Sequence, residues 1–344
     1  MKNFEKLDDV KGFTIEKNRK LFSAKHEEII SGATTDIYFV KTVEILDYLN
    51  IVEKDVTAEV FSRNSGVLAG TDEVLNLLED KDIEVWGLKE GEQFEPYDVV
   101  LRIKGPYREF AIYETPIMGI LASSSGWATA SKECRKAAQD KKFICFGARH
   151  IHPAVAPVME RAAVIGGADG ASCILGAKLL GLEPSGTVPH AAFLIAGDTL
   201  TLSKAYDEIM PPDSPRIMLV DTFKDEVEET LRVAELLKER LDGIRLDTPS
   251  ERGGVTPHLV REVRMFLDMK GHNHVQILVS GGITPERITL LREAGADVFG
   301  VGSYISGASP IDMTLDIKEI DGKPVAKRGR IPGITNNTKL VKFK

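Results

Sequence analysis

Two glycine-rich turns follow consecutive apolar segments of the chain, and their composition suits the binding of an anion. The apolar segments Gln276–Val279 and Val298–Val301 lead into these turns. Main-chain amides without a side chain in front of them can face a phosphate, and the last two strands of (β/α) barrels bind phosphate in this way. A role in tight turns alone is the alternative. We predict a phosphate site formed by Gly281, Gly282, Gly300, Gly302 and Ser303.

Charged side chains follow other apolar segments of the same region, at Arg149, His190, Asp221 and Asp247. Because parallel barrel strands end on one face, we expect these residues to converge there. Cations, carboxylates and phosphate-binding amides together suit a phosphorylated substrate and a divalent metal. Asp221 and Asp247 are the candidate ligands of Mg²⁺, or they bind the hydroxyls of a sugar. A helix N-cap is the alternative for Asp221, and a capping or core role is the alternative for His190.

Alternating strands and helices must position these residues. From Lys142 onward, short apolar segments alternate with amphipathic ones, which predicts parallel strands with right-handed crossovers. Six strands are clear, among them one at 186–188, so we expect an irregular, incomplete (β/α) barrel. The earlier part predicts an α+β domain, α/β sandwich-like, with helices at 35–49, 72–79 and 111–130, the last interrupted at 123–126. A hairpin at 312–327 is expected to complete its sheet. The predicted domains are 1–115, 116–309 and 310–344.

Composition limits the class of protein. The chain has 344 residues, 43% of them hydrophobic, and a net charge of −8, which argues against nucleic acid or an anionic membrane as partner. No apolar run is long enough to span a bilayer, and the first residues do not form a signal peptide. The three cysteines show no CxxC pair, so we expect reduced thiols, no zinc and a cytoplasmic protein.

Six motifs in order give the chain a resemblance to a known family. They are TTDIYF, FGARHIHP, SGTVPH, GIRLDTPSERGG, VSGGIT and VGSYIS. The ordered set resembles the nicotinate phosphoribosyltransferase family, the type II phosphoribosyltransferases, over nearly the whole chain. The chain is short at its C-terminus and lacks the cysteine cluster that some relatives carry there.

The resemblance implies an enzyme of NAD biosynthesis, in pyridine nucleotide salvage. It would form nicotinate mononucleotide and pyrophosphate from nicotinate and phosphoribosyl pyrophosphate, with ATP hydrolysis coupled through a phosphohistidine at His190. Mg²⁺ would accompany the pyrophosphate. The family also implies a homodimer or higher homo-oligomer whose subunits share active sites.

The resemblance further implies roles for individual residues. Phe146 and Tyr38 would enclose the pyridine ring, with Tyr38 and Asp36 supplied by the neighbouring subunit. Arg149 would lie beside the nicotinate and phosphoribosyl groups, and Ser172 beside the ring substituent. Arg245 and Asp247 resemble the pair that binds the phosphate and the ribose hydroxyls.

Three other functions remain open at this point. A quinolinate phosphoribosyltransferase shares the fold and decarboxylates its product, and a nicotinamide phosphoribosyltransferase differs in one ring substituent. A non-catalytic phosphometabolite-binding barrel protein would bind the ligand without turnover.

Overall fold

The structure, a computed structural model, describes residues 3–344 and divides into two compact units. The first unit runs to Thr129 and resumes from Ser309 to Lys344. The second unit, Ala130–Ala308, is one uninterrupted stretch of chain. Within the described residues, no helix combines the length and the apolar character needed to cross a membrane.

The first unit is built on a six-stranded antiparallel sheet with the order β13-β12-β1-β5-β3-β14. Strand β1 lies inside the sheet and is buried along nearly its whole length, although apolar and polar residues alternate in it. Its buried Glu59 is paired with Arg102 at 2.7 Å. Val60, for example, lies opposite Leu101 on one side and Leu315 on the other. The strands of this unit are β1 Asp55–Ser62, β2 Gly66–Val67, β3 Glu84–Gly87, β4 Gln93–Phe94, β5 Val99–Pro106, β12 Met313–Ile320, β13 Lys323–Pro324 and β14 Val341–Lys342, with β2 and β4 forming a separate pair.

The predicted α/β organisation is confirmed, because C-terminal strands complete the N-terminal sheet. Strand β12 pairs with β1, and β13 forms the returning arm of a hairpin with β12. Val341 and Lys342 pair with β3 at the opposite edge of the same sheet.

Five helices of the first unit are α1 Leu7–Gly12, α2 His26–Ile30, α3 Ile37–Tyr48, α4 Thr71–Leu77 and α5 Tyr107–Phe110, with a 3₁₀ turn at Ala111–Tyr113. Helix α6, Glu114–Ala138, runs without a break through 123–126, where the sequence predicted an interruption. The small residues there serve packing: a Cβ on Gly126 would lie 2.4 Å from the Ser309 carbonyl oxygen. The expectation of a break was therefore wrong because close backbone approach, rather than a turn, requires the glycine.

The second unit holds a parallel sheet of six strands with the order β7-β6-β11-β10-β9-β8. Its ends, β7 and β8, are not paired with each other, in agreement with an incomplete barrel. The strands are β6 Lys142–Cys145, β7 Gly170–Ala171, β8 Ile217–Leu219, β9 Gly243–Leu246, β10 Gln276–Val279 and β11 Val298–Val301.

One predicted strand is misplaced. The segment 186–188 is not a strand, and β7 at Gly170–Ala171 pairs with β6 instead. The backbone of Ser185, just before this segment, bonds to the sheet: its amide donates to Ala171 O at 2.9 Å. The chain then turns into Pro189, which has no amide proton for a ladder.

Helices lie between these strands along the chain. They are α7 Ala156–Ile165, α8 Ile174–Lys178, α9 His190–Ala196, α10 Thr199–Ile209, α11 Glu226–Leu237, α12 Pro257–Met269, α13 Pro285–Glu293 and α14 Ser303–Ser306, with 3₁₀ turns at Ala148–His150, Lys238–Arg240 and Ser250–Arg252. Helix α13 has a capped start: the Thr284 hydroxyl accepts from the Arg287 amide, and Pro285 follows as the first helical residue.

Candidate active site

Arg245 forms the centre of a polar network at the carboxyl ends of β9 and β10. Its Nε donates to Ser280 Oγ at 2.8 Å, Nη1 donates to Thr187 Oγ1 at 2.8 Å, and Nη2 donates to Asp247 Oδ2 at 3.0 Å. The neighbouring residues of β9 are buried, whereas Arg245 is only partly buried and its guanidinium meets these polar partners. Three different segments thus hold one guanidinium in a defined orientation.

Asp247 and Asp221 lie side by side at the ends of β9 and β8. Asp247 Oδ1 accepts from Ser280 Oγ at 2.8 Å, and the Asp247 amide donates to Asp221 Oδ2 at 2.6 Å. Burial raises the pKa of Asp221 above its ordinary value, although this amide and the nearby His190 oppose the shift. The N-cap alternative for Asp221 is wrong, because Asp225 caps α11 by accepting from the Val227 and Glu228 amides.

His190 begins α9 and faces both carboxylates. Its Nε2 lies 3.8 Å from Asp221 Oδ1 and 3.8 Å from Asp247 Oδ2, and its Nδ1 is 3.0 Å from Thr222 Oγ1. The side chain is 36% exposed, so it is not the core histidine of the alternative interpretation. The structure therefore brings His190, Asp221, Asp247 and Arg245 together.

This carboxylate pair fits a divalent cation. Asp221 Oδ1 is buried and has no hydrogen-bond partner within the described residues, which leaves a negatively charged oxygen available as a ligand. No group of three His, Cys, Asp or Glu in residues 3–344 is arranged to hold a metal. A cation at Asp221 and Asp247 would therefore need further oxygen ligands from a substrate or from water.

Phe146 and two of the predicted phosphate glycines are in contact. The Phe146 ring occupies the space in front of Gly300, where a Cβ would lie 2.5 Å from two ring carbons. The guanidinium of Arg245 lies over the same ring at 5.5 Å from its centroid. A Cβ on Gly302 would lie 2.9 Å from Nε2 of His150. Gly300, inside β11, therefore makes room for an aromatic ring, and its role toward phosphate stays a prediction.

The other glycine turn opens beside Asp247. Gly281 and Gly282 have φ of +87° and +61°, which L side chains rarely adopt. A Cβ on Gly281 would lie 3.0 Å from Asp247 Oδ1, whereas the space in front of Gly282 is open. Ser303 is the first residue of the four-residue helix α14. The phosphate-binding role of these residues remains a prediction.

Arg149 and Ser172 lie on turns that follow the neighbouring strands β6 and β7. Arg149, in the 3₁₀ turn, is exposed and makes no hydrogen bond or ion pair with the described residues. The Ser172 amide donates to Cys145 O at 3.1 Å, and its hydroxyl donates to Glu160 Oε1 at 2.8 Å. Arg149 thus has a free guanidinium, while the Ser172 proton is already engaged.

Asp36 and Tyr38 belong to the first unit, at the start of α3. Tyr38 is 55% exposed, and partial burial raises the pKa of its phenol. The Asp36 amide donates to Thr115 Oγ1 at 3.1 Å. Their predicted contribution to a neighbouring subunit's site stays a prediction.

Both halves of the chain match models of one enzyme family. Residues 36–125 match the quinolinate phosphoribosyl transferase N-terminal domain, and residues 127–316 match its C-terminal domain. The second match alone covers more than half of the 344 residues. The chain belongs to the quinolinate phosphoribosyl transferase family.

Two relatives with known names agree with this family, whereas a third is named a nicotinate phosphoribosyltransferase. The chain is 44% identical to a crystal structure titled nicotinate-nucleotide pyrophosphorylase from Pyrococcus furiosus, with a TM-score of 0.87 over 92% of this chain and 82% of that one. A probable nicotinate-nucleotide pyrophosphorylase (carboxylating) of Archaeoglobus fulgidus is 26% identical over 79% of this chain and 98% of its own length. A Mycobacterium tuberculosis nicotinate phosphoribosyltransferase, pncB1, is 29% identical over 71% of this chain but only 55% of its own length.

The predicted membership of the nicotinate phosphoribosyltransferase family is therefore wrong. The two quinolinate phosphoribosyl transferase models and the Pyrococcus structure overturn it, and with it nicotinate as the pyridine, ATP as co-substrate, the ligase class and a phosphohistidine at His190. Glycine turns and an Arg–Asp pair suit a phosphoribosyl group whichever pyridine accepts it. These motifs thus could not identify the branch of the fold.

Four residues of the candidate site could not be found by the sequence analysis. Ser280 and Thr187 bind Arg245, Thr222 binds His190, and Glu160 binds Ser172. Ser280 and Thr187 stand inside motifs that the sequence did single out, but nothing in those motifs shows that they bind Arg245. Glu160 lies in the middle of an apolar helix, and only its burial shows its importance.

Proposed function

We propose that this protein is a quinolinate phosphoribosyltransferase of NAD biosynthesis. The names of its family and of the Pyrococcus relative describe the two directions of one reaction. Quinolinate and phosphoribosyl pyrophosphate give nicotinate mononucleotide, pyrophosphate and carbon dioxide. The observation that carries the proposal is the match of residues 36–125 and 127–316 to the family's two domain models, and the Arg245–Asp247–Ser280 network within the second match supports the phosphoribosyl part of the reaction.

The reaction forms two bonds and breaks two. The ring nitrogen of quinolinate attacks C1 of the ribose as the bond to pyrophosphate breaks. The carboxylate beside the ring nitrogen then leaves as carbon dioxide, and the carbon that carried it takes up a proton. Positive charge develops on the ribose in the first step, and a carboxylate close to the ribose stabilises it.

The chain's own residues suit these needs. Asp247 would bind ribose hydroxyls, held in place by Arg245 and Ser280. Gly281, Gly282, Gly302 and Ser303 would bind the 5′-phosphate through their amides. Mg²⁺ held by Asp221 and Asp247 would neutralise charge on the pyrophosphate as it leaves.

In this proposal the pyridine is bound beside the turn after β6, which carries Phe146 and Arg149. Phe146 provides an aromatic surface beside Arg245, and the free guanidinium of Arg149 would pair with a ring carboxylate. Quinolinate carries two carboxylates, so a locally cationic pocket is needed within a chain of net charge −8. Asp36 and Tyr38 would come from the partner in a homo-oligomer, as predicted from the sequence.

A substrate comparison tests the proposal. The purified protein is incubated with phosphoribosyl pyrophosphate, Mg²⁺ and either quinolinate, nicotinate or nicotinamide, with and without ATP. Chromatography measures mononucleotide, and a labelled 2-carboxylate measures carbon dioxide. We expect equal amounts of both products from quinolinate, with no requirement for ATP. Turnover of nicotinate or nicotinamide but not quinolinate, or no turnover at all, would overturn the proposal.

A further inference from the structure

Glu160 is a completely buried carboxylate in the second unit, and the reaction proposed above does not use it. It lies on α7 with no exposed surface. Its Oε1 accepts from the Ala148 amide at 3.1 Å and from Ser172 Oγ at 2.8 Å, and its Oε2 accepts from the Cys173 amide at 2.6 Å. Burying a carboxylate without such donors is costly, so these three bonds explain how the charge is accommodated.

The three donors come from two separate turns. Ala148 belongs to the turn after β6, which carries Arg149, and Ser172 and Cys173 belong to the turn after β7. Strands β6 and β7 are neighbours in the parallel sheet. One carboxylate therefore ties together the two turns that present Arg149 and Ser172.

The same contact determines how Ser172 meets a ligand. A serine hydroxyl has one proton, and a carboxylate only accepts hydrogen bonds. Because Ser172 donates its proton to Glu160, only the lone pairs of its oxygen remain for a ligand. A ring carboxylate beside Ser172 would be repelled, which favours placement of that carboxylate toward Arg149.

The surroundings of Glu160 leave it little freedom. Gly176 packs against it, and a Cβ there would lie 3.3 Å from the Glu160 Cβ. The preceding residue of α7 is also closely packed, because a Cβ on Gly147 would lie 2.6 Å from the Met159 methyl group. This turn of α7 is thus tightly packed on both sides, and the three hydrogen bonds orient the carboxylate.

We propose that Glu160 is a positioning residue that sets the geometry of the pyridine pocket by holding the Arg149 turn and the Ser172 hydroxyl in register. The identity of the pyridine rests on the proposed function, but the link between the two turns does not. Glu160 touches neither substrate in this proposal. Its effect passes through Arg149 and Ser172.

Glu160→Gln tests this role with little change in side-chain size. It replaces one carboxylate oxygen by an amide group that donates, so at least one of the three donors loses its acceptor. A charge-assisted hydrogen bond of this kind corresponds to about a tenfold to hundredfold change in an equilibrium. We expect the KM for quinolinate to rise by that factor, with the KM for phosphoribosyl pyrophosphate changed less than about twofold.

Glu229→Gln is the matched control. Glu229 is equally buried and its carboxylate binds Arg232 on the same helix, away from both turns. Glu229→Gln should change the stability of the protein, but it should not raise the KM for quinolinate relative to the KM for phosphoribosyl pyrophosphate. Ser172→Ala, which removes the oriented hydroxyl, should change the KM for quinolinate in the wild type but change it little further in the Glu160→Gln background, because coupled residues are not additive. Equal KM values for Glu160→Gln and the wild type would overturn the proposal.

Hydrogen exchange separates this proposal from the proposed function. In Glu160→Gln, exchange should quicken at residues 146–152 and 170–176 and stay unchanged elsewhere in the second unit, unlike in Glu229→Gln. A wild type without quinolinate turnover would reject the proposed function, and the exchange pattern would still decide the role of Glu160. Exchange that quickens uniformly over the second unit would show a merely structural residue and overturn the proposal.

Discussion

Arg245 illustrates how a planar side chain organises a site that no single segment could build. Its three nitrogens each donate to a different residue, Ser280, Thr187 and Asp247, from three segments of the second unit. A lysine carries the same charge but lacks the planar arrangement of donors. The geometry, rather than the charge, is therefore what this position requires.

We expect Arg245→Lys to lower kcat/KM about 100-fold, since Asp247 would lose its orienting partner. Steady-state kinetics with phosphoribosyl pyrophosphate and the pyridine substrate measures this change. Arg264→Lys is the control, because Arg264 also binds several oxygens but lies on α12 outside the site. Activity of Arg245→Lys close to that of the wild type would contradict the role given to the planar group.

Gly300 offers a test of packing rather than charge. A methyl group at this position would meet two carbons of the Phe146 ring at 2.5 Å inside a buried strand. We expect Gly300→Ala to destabilise the second unit by about 1–3 kcal/mol and to displace the ring. Urea unfolding measures the loss. Gly186→Ala should be nearly neutral, because its Cβ would have open space, so equal losses in both variants would rule out the steric explanation.

At the scale of elements, helix α6 begins with a carboxyl group in an unfavourable environment. Burial, with a smaller contribution from Asp316, raises the pKa of Glu114 to about 7. Asp316 lies on β12 and is itself paired with Arg330 at 2.9 Å. The first turn of α6 therefore favours the neutral form of Glu114 in the folded chain.

The consequence is a pH dependence of stability with a definite sign. The folded pKa of Glu114 lies above its ordinary value of 4.5, so the stabilisation by the neutral form is complete below pH 4.5 and is lost as the pH rises to about 7. Glu114→Gln should remove this part of the slope and raise the melting temperature at pH 7.5. Thermal unfolding from pH 4.5 to 7.5 measures it, with the exposed Asp80→Asn as control. An unchanged slope in Glu114→Gln would refute the assignment.

Helices with strong end signals could be predicted from sequence, and elements defined by tertiary pairing could not. Thr284 followed by Pro285 is a typical helix start, and the structure has Thr284 as the N-cap of α13 and Pro285 as its first residue. Strand β7 has only two residues, Gly170 and Ala171, so its pairing with β6 leaves no periodic pattern. Asp221 resembled a helix cap because the true cap, Asp225, lies only four residues further along.

In the candidate site, too, some residues could be predicted from sequence and others could not. Residues at strand ends, such as Asp221 and Asp247, could be selected from sequence because the alternation of strands and helices brings such positions together, whereas Arg245 was selected only through the family resemblance. The partners that orient them, and the buried Glu160, depend on side-chain packing that no local pattern records. The branch of the family was missed for a related reason, because phosphate and ribose motifs do not report the pyridine.

At the scale of the whole molecule, the first unit depends on two distant parts of the chain. Strand β12 pairs with the full length of β1, and Ile311 and Met313 enter the core of that unit. The second unit is continuous between these parts. The C-terminal residues therefore have to return before the first unit can be complete, while the second unit has no such requirement.

A chain that ends at Ala308 tests this dependence. Without residues 309–344, strand β1 loses one of its two neighbours and exposes an unpaired edge. We expect the first unit to unfold or aggregate, while the second unit keeps a cooperative thermal transition and resists limited proteolysis. A chain that ends at Lys339 keeps β12 and loses β14 with its flanking residues Leu340, Phe343 and Lys344, so it should lose much less stability. If the shorter chain instead unfolded like the wild type, in a single transition at the same temperature, β12 could not be an essential part of the first unit's sheet.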